Sequence, residues 1–182
     1  MTAANVELPR LTFLLGGARS GKSALALRLA ENAPARDGCP PQLILIATAR
    51  AEDAEMAARI ARHQTEREPH WRTIEAPLDL CPAIQQASAP GSVIVVDCLT
   101  LWLSNLMLAG RDPERAGSEL LHGVAQCASR IILISNEVGQ GIVPDNPLAR
   151  AFRDHAGRLH QKIAAQADRV SFVVAGLVMP LK

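Results

Sequence analysis

Five short apolar runs punctuate the chain, Leu11–Leu15, Leu43–Thr48, Ser92–Asp97, Ile131–Ile134 and Val170–Ala175, and a sixth, mixed run, His70–Glu75, suggests a short strand ending in an acid. Each has strand length, and most are continuously apolar instead of alternating, the pattern of parallel strands covered on both faces. Between them lie stretches of helical spacing: Ala24–Glu31, Asp53–Gln64, a segment from Pro77 to about Ala87, one from about Pro113 to Ser129, and one from about Leu148 to Ala167. The Asp53–Gln64 stretch carries acids in its first turn and arginines towards its end, as the helix dipole favours. Leu99–Leu108 is strongly apolar and is broken by Arg111-Asp112-Pro113-Glu114. Strand and helix alternating throughout predicts an α/β fold, a mostly parallel sheet with helices on both faces and ligands at the carboxyl ends of the strands. Residues 11–182 read as a single nucleotide-binding and catalytic domain, and residues 1–10 as a flexible tail.

The run Leu11–Leu15 leads into Gly16-Gly17-Ala18-Arg19-Ser20-Gly21-Lys22-Ser23, the pattern G-x-x-x-x-G-K-S, and then into a stretch of strong helix formers. A strand before and a helix after make this a phosphate-binding loop of the P-loop NTPase type, RecA-like in its expected sheet. Gly16 and Gly21 allow a tight turn whose amides converge on phosphate oxygens, with the helix N-terminus behind them. Lys22 adds a cation for the β- and γ-phosphates, and the Ser23 hydroxyl is placed to ligate Mg²⁺. Val93–Val96 closed by Asp97 reads as the second half of such a site, with Asp97 a further Mg²⁺ ligand or, equally for that residue alone, a cap of the next helix. Ser135–Pro147, dense in Gly, Pro and Asn, is a long loop of specified shape at another strand end.

Composition narrows the partners. The 182 residues carry 19 Lys and Arg against 18 Asp and Glu, a net charge of +1, with no basic stripe. Aromatic content is 3% and Tyr is absent, so neither a phosphate-tracking groove nor a base-stacking platform is expected, and nucleic acid is not a partner. Cys39, Cys81, Cys98 and Cys127 lack metal-ligand spacing and read as free thiols. No apolar stretch approaches a membrane span, and the first ten residues lack a signal core, which predicts a cytoplasmic location.

These parts fit three reaction classes: a small-molecule kinase, a hydrolytic ATPase or GTPase that drives a partner, and a nucleotidyl transferase. Met56, Ile60 and His63 share one stripe of the expected helix, with Arg59, Arg62 and Arg67 around the histidine. Cations nearby disfavour imidazolium and keep the ring nucleophilic, so His63 could accept a nucleotidyl group. By spacing alone, a histidine on an apolar stripe is more often a packed core residue.

Taken together, Gly16–Ser23, Ile46-Ala47-Thr48-Ala49, Asp53-Ala54-Glu55-Met56 with Arg59, Ile60 and His63, His70-Trp71-Arg72-Thr73, and Asn136-Glu137-Val138-Gly139 with Gly141, Val143 and Pro144 resemble the bifunctional adenosylcobinamide kinase / adenosylcobinamide-phosphate guanylyltransferase family. The resemblance spans about Leu11 to Lys182. It implies phosphorylation of adenosylcobinamide by ATP or GTP, then transfer of GMP from GTP to adenosylcobinamide phosphate, releasing pyrophosphate. It further implies that His63 carries the guanylyl group, that Mg²⁺ accompanies the nucleotide, and that the enzyme is a homotrimer. The nucleotide contacts that carry over are Gly16, Gly17, Ala18, Arg19, Ser20, Gly21, Lys22 and Ser23, then Thr48, Ala49 and Arg50, then Gln64, Thr65, Glu66 and Arg67, with Glu75 and Asp97. At Asp97 the match is looser, since enterobacterial members carry Glu there. Guanine is expected to be read by Glu75 or Asp97, because a carboxylate accepts from both its N1–H and its exocyclic amine.

Overall fold

The computed structural model describes residues 8–36, 38–50 and 70–182. Its strands are β1 (Leu11–Gly16), β2 (Gln42–Ala47), β3 (Trp71–Glu75), β4 (Ser92–Asp97), β5 (Arg130–Asn136), β6 (Arg169–Val174) and β7 (Leu177–Pro180). The helices are α1 (Lys22–Glu31), α2 (Leu80–Ala87), α3 (Leu99–Leu108), α4 (Pro113–Gln126) and α5 (Pro147–Gln166). All seven strands form one sheet in the order β3-β2-β4-β5-β1-β6-β7. Every pairing is parallel except that of β6 with β7.

Alternation along the strands sorts the apolar runs onto two faces. Ile44, Ile46, Ile94, Val96, Ile131 and Leu133 lie on one side, against Leu80 and Ile84 of α2, Trp102 and Leu106 of α3, Leu120 of α4 and Ile163 of α5. Leu43, Leu45, Val93, Val95, Ile132 and Ile134 lie on the other, with Leu25, Ala26 and Ala30 of α1. The central residues Ile44, Ile46, Ile94 and Val96 are fully buried. Each such side chain contributes on the order of 1.5–3 kcal/mol, which is why the runs read as continuous.

Several expectations are refined by tertiary contacts. The helix expected from Pro77 begins at Leu80, because the Pro77 and Leu78 carbonyls accept hydrogen bonds from Asn105 Nδ2 (3.0 Å) and Trp102 Nε1 (2.9 Å) of α3. The helix expected to run to Ser129 ends at Gln126, and Ser135 and Asn136 belong to β5, leaving 137–146 as the loop. β7 was not expected as a strand. Ala175 and Gly176 both have positive φ (51° and 77°), the conformation of a two-residue hairpin that turns the chain back antiparallel. The expected helix Asp53–Gln64 lies outside the described residues. Of the expected tail, the described part is seated: Leu8 is buried, and Arg10 donates to the Ala125 carbonyl at 2.7 Å. All four cysteines are free thiols. No helix among the described residues is long and apolar enough to cross a membrane.

One surface cluster ties α4 to α5. Glu114, in the first turn of α4, bonds Arg158 Nε at 2.6 Å, Lys162 Nζ at 3.0 Å and His155 Nδ1 at 3.2 Å. The Arg158 and Lys162 hydrogen bonds hold its carboxyl down at about 2, against an ordinary 4.5. A depressed folded-state value means the contribution is complete above the unfolded value and fades as pH falls from about 4.5 towards 2. Urea midpoints measured at pH 6 and pH 3 are expected to fall less in Glu114→Gln than in the native chain; an equal fall in both refutes the assignment.

Candidate nucleotide site

The phosphate loop leaves the carboxyl end of β1 between two neighbours, β5 and β6. Gly16 is essential to this passage. Its φ is +155°, and a Cβ placed on it would stand 2.1 Å from the Val173 carbonyl oxygen of β6. Gly21 closes the loop in a left-handed conformation (φ 100°) and precedes α1, which no side chain caps. The first amides of α1 are therefore left facing the loop, a ready anion site. Arg19 also takes a positive φ, 56°. The turn of the β6–β7 hairpin braces the loop from outside: the Gly176 amide donates to the Ser20 carbonyl at 2.9 Å.

Lys22 is 6% exposed, and its ammonium donates to the carbonyls of Gly16 (2.9 Å) and Gly17 (2.6 Å) and to Ser20 Oγ (3.3 Å). Burial lowers its pKa from the ordinary 10.5, while Cys98 and Asp97 act the other way. The cation thus sits inside the loop with all three protons engaged, close to the acid that ends β4.

The strand register sets two carboxylates in one row. Ala47 pairs with Glu75 of β3 on one side and with Asp97 of β4 on the other. Two interstrand spacings separate the acids by about 10 Å. By alternation from Trp71 and from Val93 and Val95, both carboxylates belong to the α1 face, the face of the phosphate loop. Thr48 is placed at this edge but is fully buried. Its hydroxyl donates to the Cys98 carbonyl (2.7 Å) and accepts from the Cys98 amide (2.9 Å), its own carbonyl accepts from Asn105 Nδ2 (2.8 Å), and its amide donates to the Asp97 carbonyl (3.1 Å). Thr48 therefore holds the end of β4, and with it Asp97, instead of offering its hydroxyl to a ligand. Ala49 and Arg50 follow it at the same edge. His63 and Gln64, Thr65, Glu66 and Arg67 lie outside the described residues.

Ser23, at the start of α1, and Asp97 make no side-chain hydrogen bond to another described residue. No three His, Cys, Asp or Glu converge on a metal-sized site among the described residues. A hydroxyl and one carboxylate beside a phosphate loop fit Mg²⁺, which takes one or two protein ligands and fills its shell with phosphate oxygens and water.

Three contributors were not foreseen as site residues. Glu137, just past β5, donates its amide to the Gly16 carbonyl at 3.1 Å, so that one oxygen serves both Glu137 and Lys22. Gly176 reaches the loop through the unforeseen hairpin; the Ala-Gly pair between two apolar runs was the available signal. Beneath the edge, His160 of α5 is 7% exposed and bonds Ser135 Oγ at 2.7 Å; Ser135 approaches Thr100 Oγ1 at 3.3 Å, which accepts the Asn136 amide at 2.8 Å. Burial lowers the His160 pKa from 6.5, with the Glu137 carboxylate opposing. No spacing in the sequence links these three positions.

A family model described as cobinamide kinase / cobinamide phosphate guanyltransferase matches residues 12–181. The chain is 51% identical over 172 residues to the bifunctional adenosylcobalamin biosynthesis protein CobP of Pseudomonas aeruginosa, covering 93% of this chain and 95% of that one. It is 41% identical over 187 residues to the bifunctional adenosylcobalamin biosynthesis protein CobU of Salmonella typhimurium, covering 94% and 99% respectively. Among solved structures, the ATPase domain of G40P shares the fold with a TM-score of 0.50 at 14% identity, over 91% of this chain and 69% of that one.

The loop geometry separates its first two glycines. Gly16→Ala drives a Cβ into a backbone carbonyl that cannot move away, and is expected to cost about 2–4 kcal/mol of stability and to abolish nucleotide binding. Gly17→Ala meets nothing within 4 Å and should change the unfolding midpoint little. Denaturation and nucleotide titration of both variants check this; equal effects would count against the close approach at Gly16.

Proposed function

Because the chain belongs to the cobinamide kinase / cobinamide phosphate guanyltransferase family and is an enzyme with those two activities, we propose that a single phosphate loop serves both reactions and that the second passes through a guanylylated His63. The observation that carries this reading is the Lys22 cage. The ammonium already lies within the loop among neutral carbonyls, and a triphosphate can recruit it by replacing those partners with charged oxygens, which form the stronger hydrogen bonds.

In the kinase step the loop amides and Lys22 hold the β- and γ-phosphates of ATP or GTP while the adenosylcobinamide hydroxyl oxygen bonds to the γ-phosphorus and the β–γ bridge breaks. In the transferase step a His63 ring nitrogen bonds to the α-phosphorus of GTP and pyrophosphate leaves. The phosphate of adenosylcobinamide phosphate then attacks the same phosphorus, the N–P bond breaks, and adenosylcobinamide-GDP is formed. Arg59, Arg62 and Arg67 surround His63 in sequence and are suited to stabilise the charge that develops. Ser23 and Asp97 would hold Mg²⁺, which neutralises phosphate charge when bound with the nucleotide. Gly16 to Ser23, Ala49, Arg50, Gln64 to Arg67, Glu75 and Asp97 complete the proposed nucleotide contacts, and Thr48 contributes by fixing Asp97. Glu75 or Asp97 reads guanine. We also propose a homotrimer; the exposed apolar residues Leu177, Val178 and Met179 of the edge strand β7 support subunit contact, and sedimentation of the purified chain decides it.

Incubation with α-labelled GTP and Mg²⁺, without corrinoid, is expected to give an acid-labile, base-stable adduct that His63→Ala lacks; a native protein that never labels overturns the covalent step. Repeating the labelling with ATP in Glu75→Gln and Asp97→Asn identifies the base reader. The responsible variant should lose preference for GTP, and unchanged preference in both removes the idea.

A further inference from the structure

The exposed large apolar residues among those described fall into two groups only. Val174, Leu177, Val178, Met179 and Leu181 belong to the terminal hairpin and its end; Leu108, Val138, Ile142, Val143 and Leu148 belong to the end of α3, the 137–146 loop and the start of α5. Two of the second group, Leu108 and Leu148, wall a cleft of about 230 Å³ between α3 and α5 together with Met107 and Phe152, with Ser104 and Asn146 as polar groups at its side, and Val138, Ile142 and Val143 stand in the loop that leads to Asn146. Ile142 is 96% exposed, an extreme value for an isoleucine in a loop held at both ends.

We propose that this face, the cleft together with Val138, Ile142 and Val143, is where the corrinoid substrate lays its ring edge. The inference rests on the kinase and guanylyltransferase reading and adds the place where the acceptor docks. Continuity with the nucleotide site is the first argument. The loop starts at Glu137, whose amide bonds Gly16 of the phosphate loop, and ends at the cap of α5 beside the cleft. α3 starts two residues after Asp97, and its Asn105 reaches the carbonyls of Thr48 and Pro77, so this helix also lies across the carboxyl edge of the sheet. The 137–146 loop and α3 thus tie this face to the carboxyl edge of the sheet, where the phosphate loop also lies.

The chemistry of the face is the second argument. The described loop has one cation at its end, Arg150, and that guanidinium is committed to the carbonyls of Pro144 (2.9 Å) and Asp145 (2.6 Å). Residues 137–146 themselves contain no Lys or Arg, and with Arg150 committed to backbone carbonyls the loop presents no free cation to a phosphate or an acidic peptide. The face offers methyl and methylene surface, the side-chain amide nitrogen of Asn146 and the Ser104 hydroxyl. A corrin ring presents the complement: a rim of methyl groups with uncharged carboxamide arms. The cleft is too small to enclose such a ring, whose larger part would lie over Ile142 and Val143, and this accounts for apolar side chains left standing in solvent.

The test uses the chain with Ile142→Asp and Leu148→Asp, both at exposed positions, with unfolding midpoints measured to show that each variant folds, and Ile142→Leu as the conservative control. Equilibrium dialysis with adenosylcobinamide and steady-state kinase assays are run together with labelling by α-labelled GTP. The two Asp variants are expected to bind corrinoid at least about tenfold more weakly, with the KM for nucleotide and the labelling unchanged, and Ile142→Leu to retain native affinity. If the native chain phosphorylates adenosylcobinamide and the Asp variants bind it as the native chain does, the docking face is wrong and the functional reading stands. If the Asp variants instead alter sedimentation with corrinoid affinity intact, the face belongs to a second copy of the chain and the proposal falls. A native chain with no corrinoid turnover overturns the reading and the docking face with it.

Discussion

The site hangs on the close approach of three strand ends at Gly16. Parallel pairing puts β1 between β5 and β6 in a register that leaves Gly16 opposite Asn136 on one side and Val173 on the other. There is no room for a side chain against the Val173 carbonyl, and the Gly16 carbonyl itself takes two donors, the Lys22 ammonium and the Glu137 amide. The conformation of the loop, the position of its cation and the start of the 137–146 loop are consequences of that one residue's backbone.

A second layer of order lies one strand away. Buried hydroxyls, more than the apolar runs, align the strand ends: Thr48 embraces both polar groups of Cys98, and the His160–Ser135–Thr100 chain fixes the Asn136 amide. Each of these groups would be costly to bury unpaired, so the network tolerates few other arrangements. The apolar core gives the sheet its stability, and these polar pairs give its edge a defined shape.

What could be read from the chain follows from how local each signal is. The phosphate loop, β4 ending in Asp97 and the general alternation were legible because strand, turn and helix signals lie within about a dozen residues of one another. Thr48 was legible as a member of the site edge but not as a buried lock, since its partner Cys98 is remote in sequence. The His160 chain has the same character, joining three elements with no motif. β7 was overlooked for a different reason: four residues with outward apolar side chains have no alternation, and only the turn at Ala175-Gly176 announces the reversal.

The bond from Gly176 to the Ser20 carbonyl also has a meaning in time. The phosphate loop is synthesised about 150 residues before β6 and the turn that braces it. During translation a nascent chain exposes the loop motif long before its second flanking strand and outer brace exist. An incomplete polypeptide therefore carries the signature of a nucleotide site without its rigid frame, and the competence of the loop arrives together with the closure of the sheet around it.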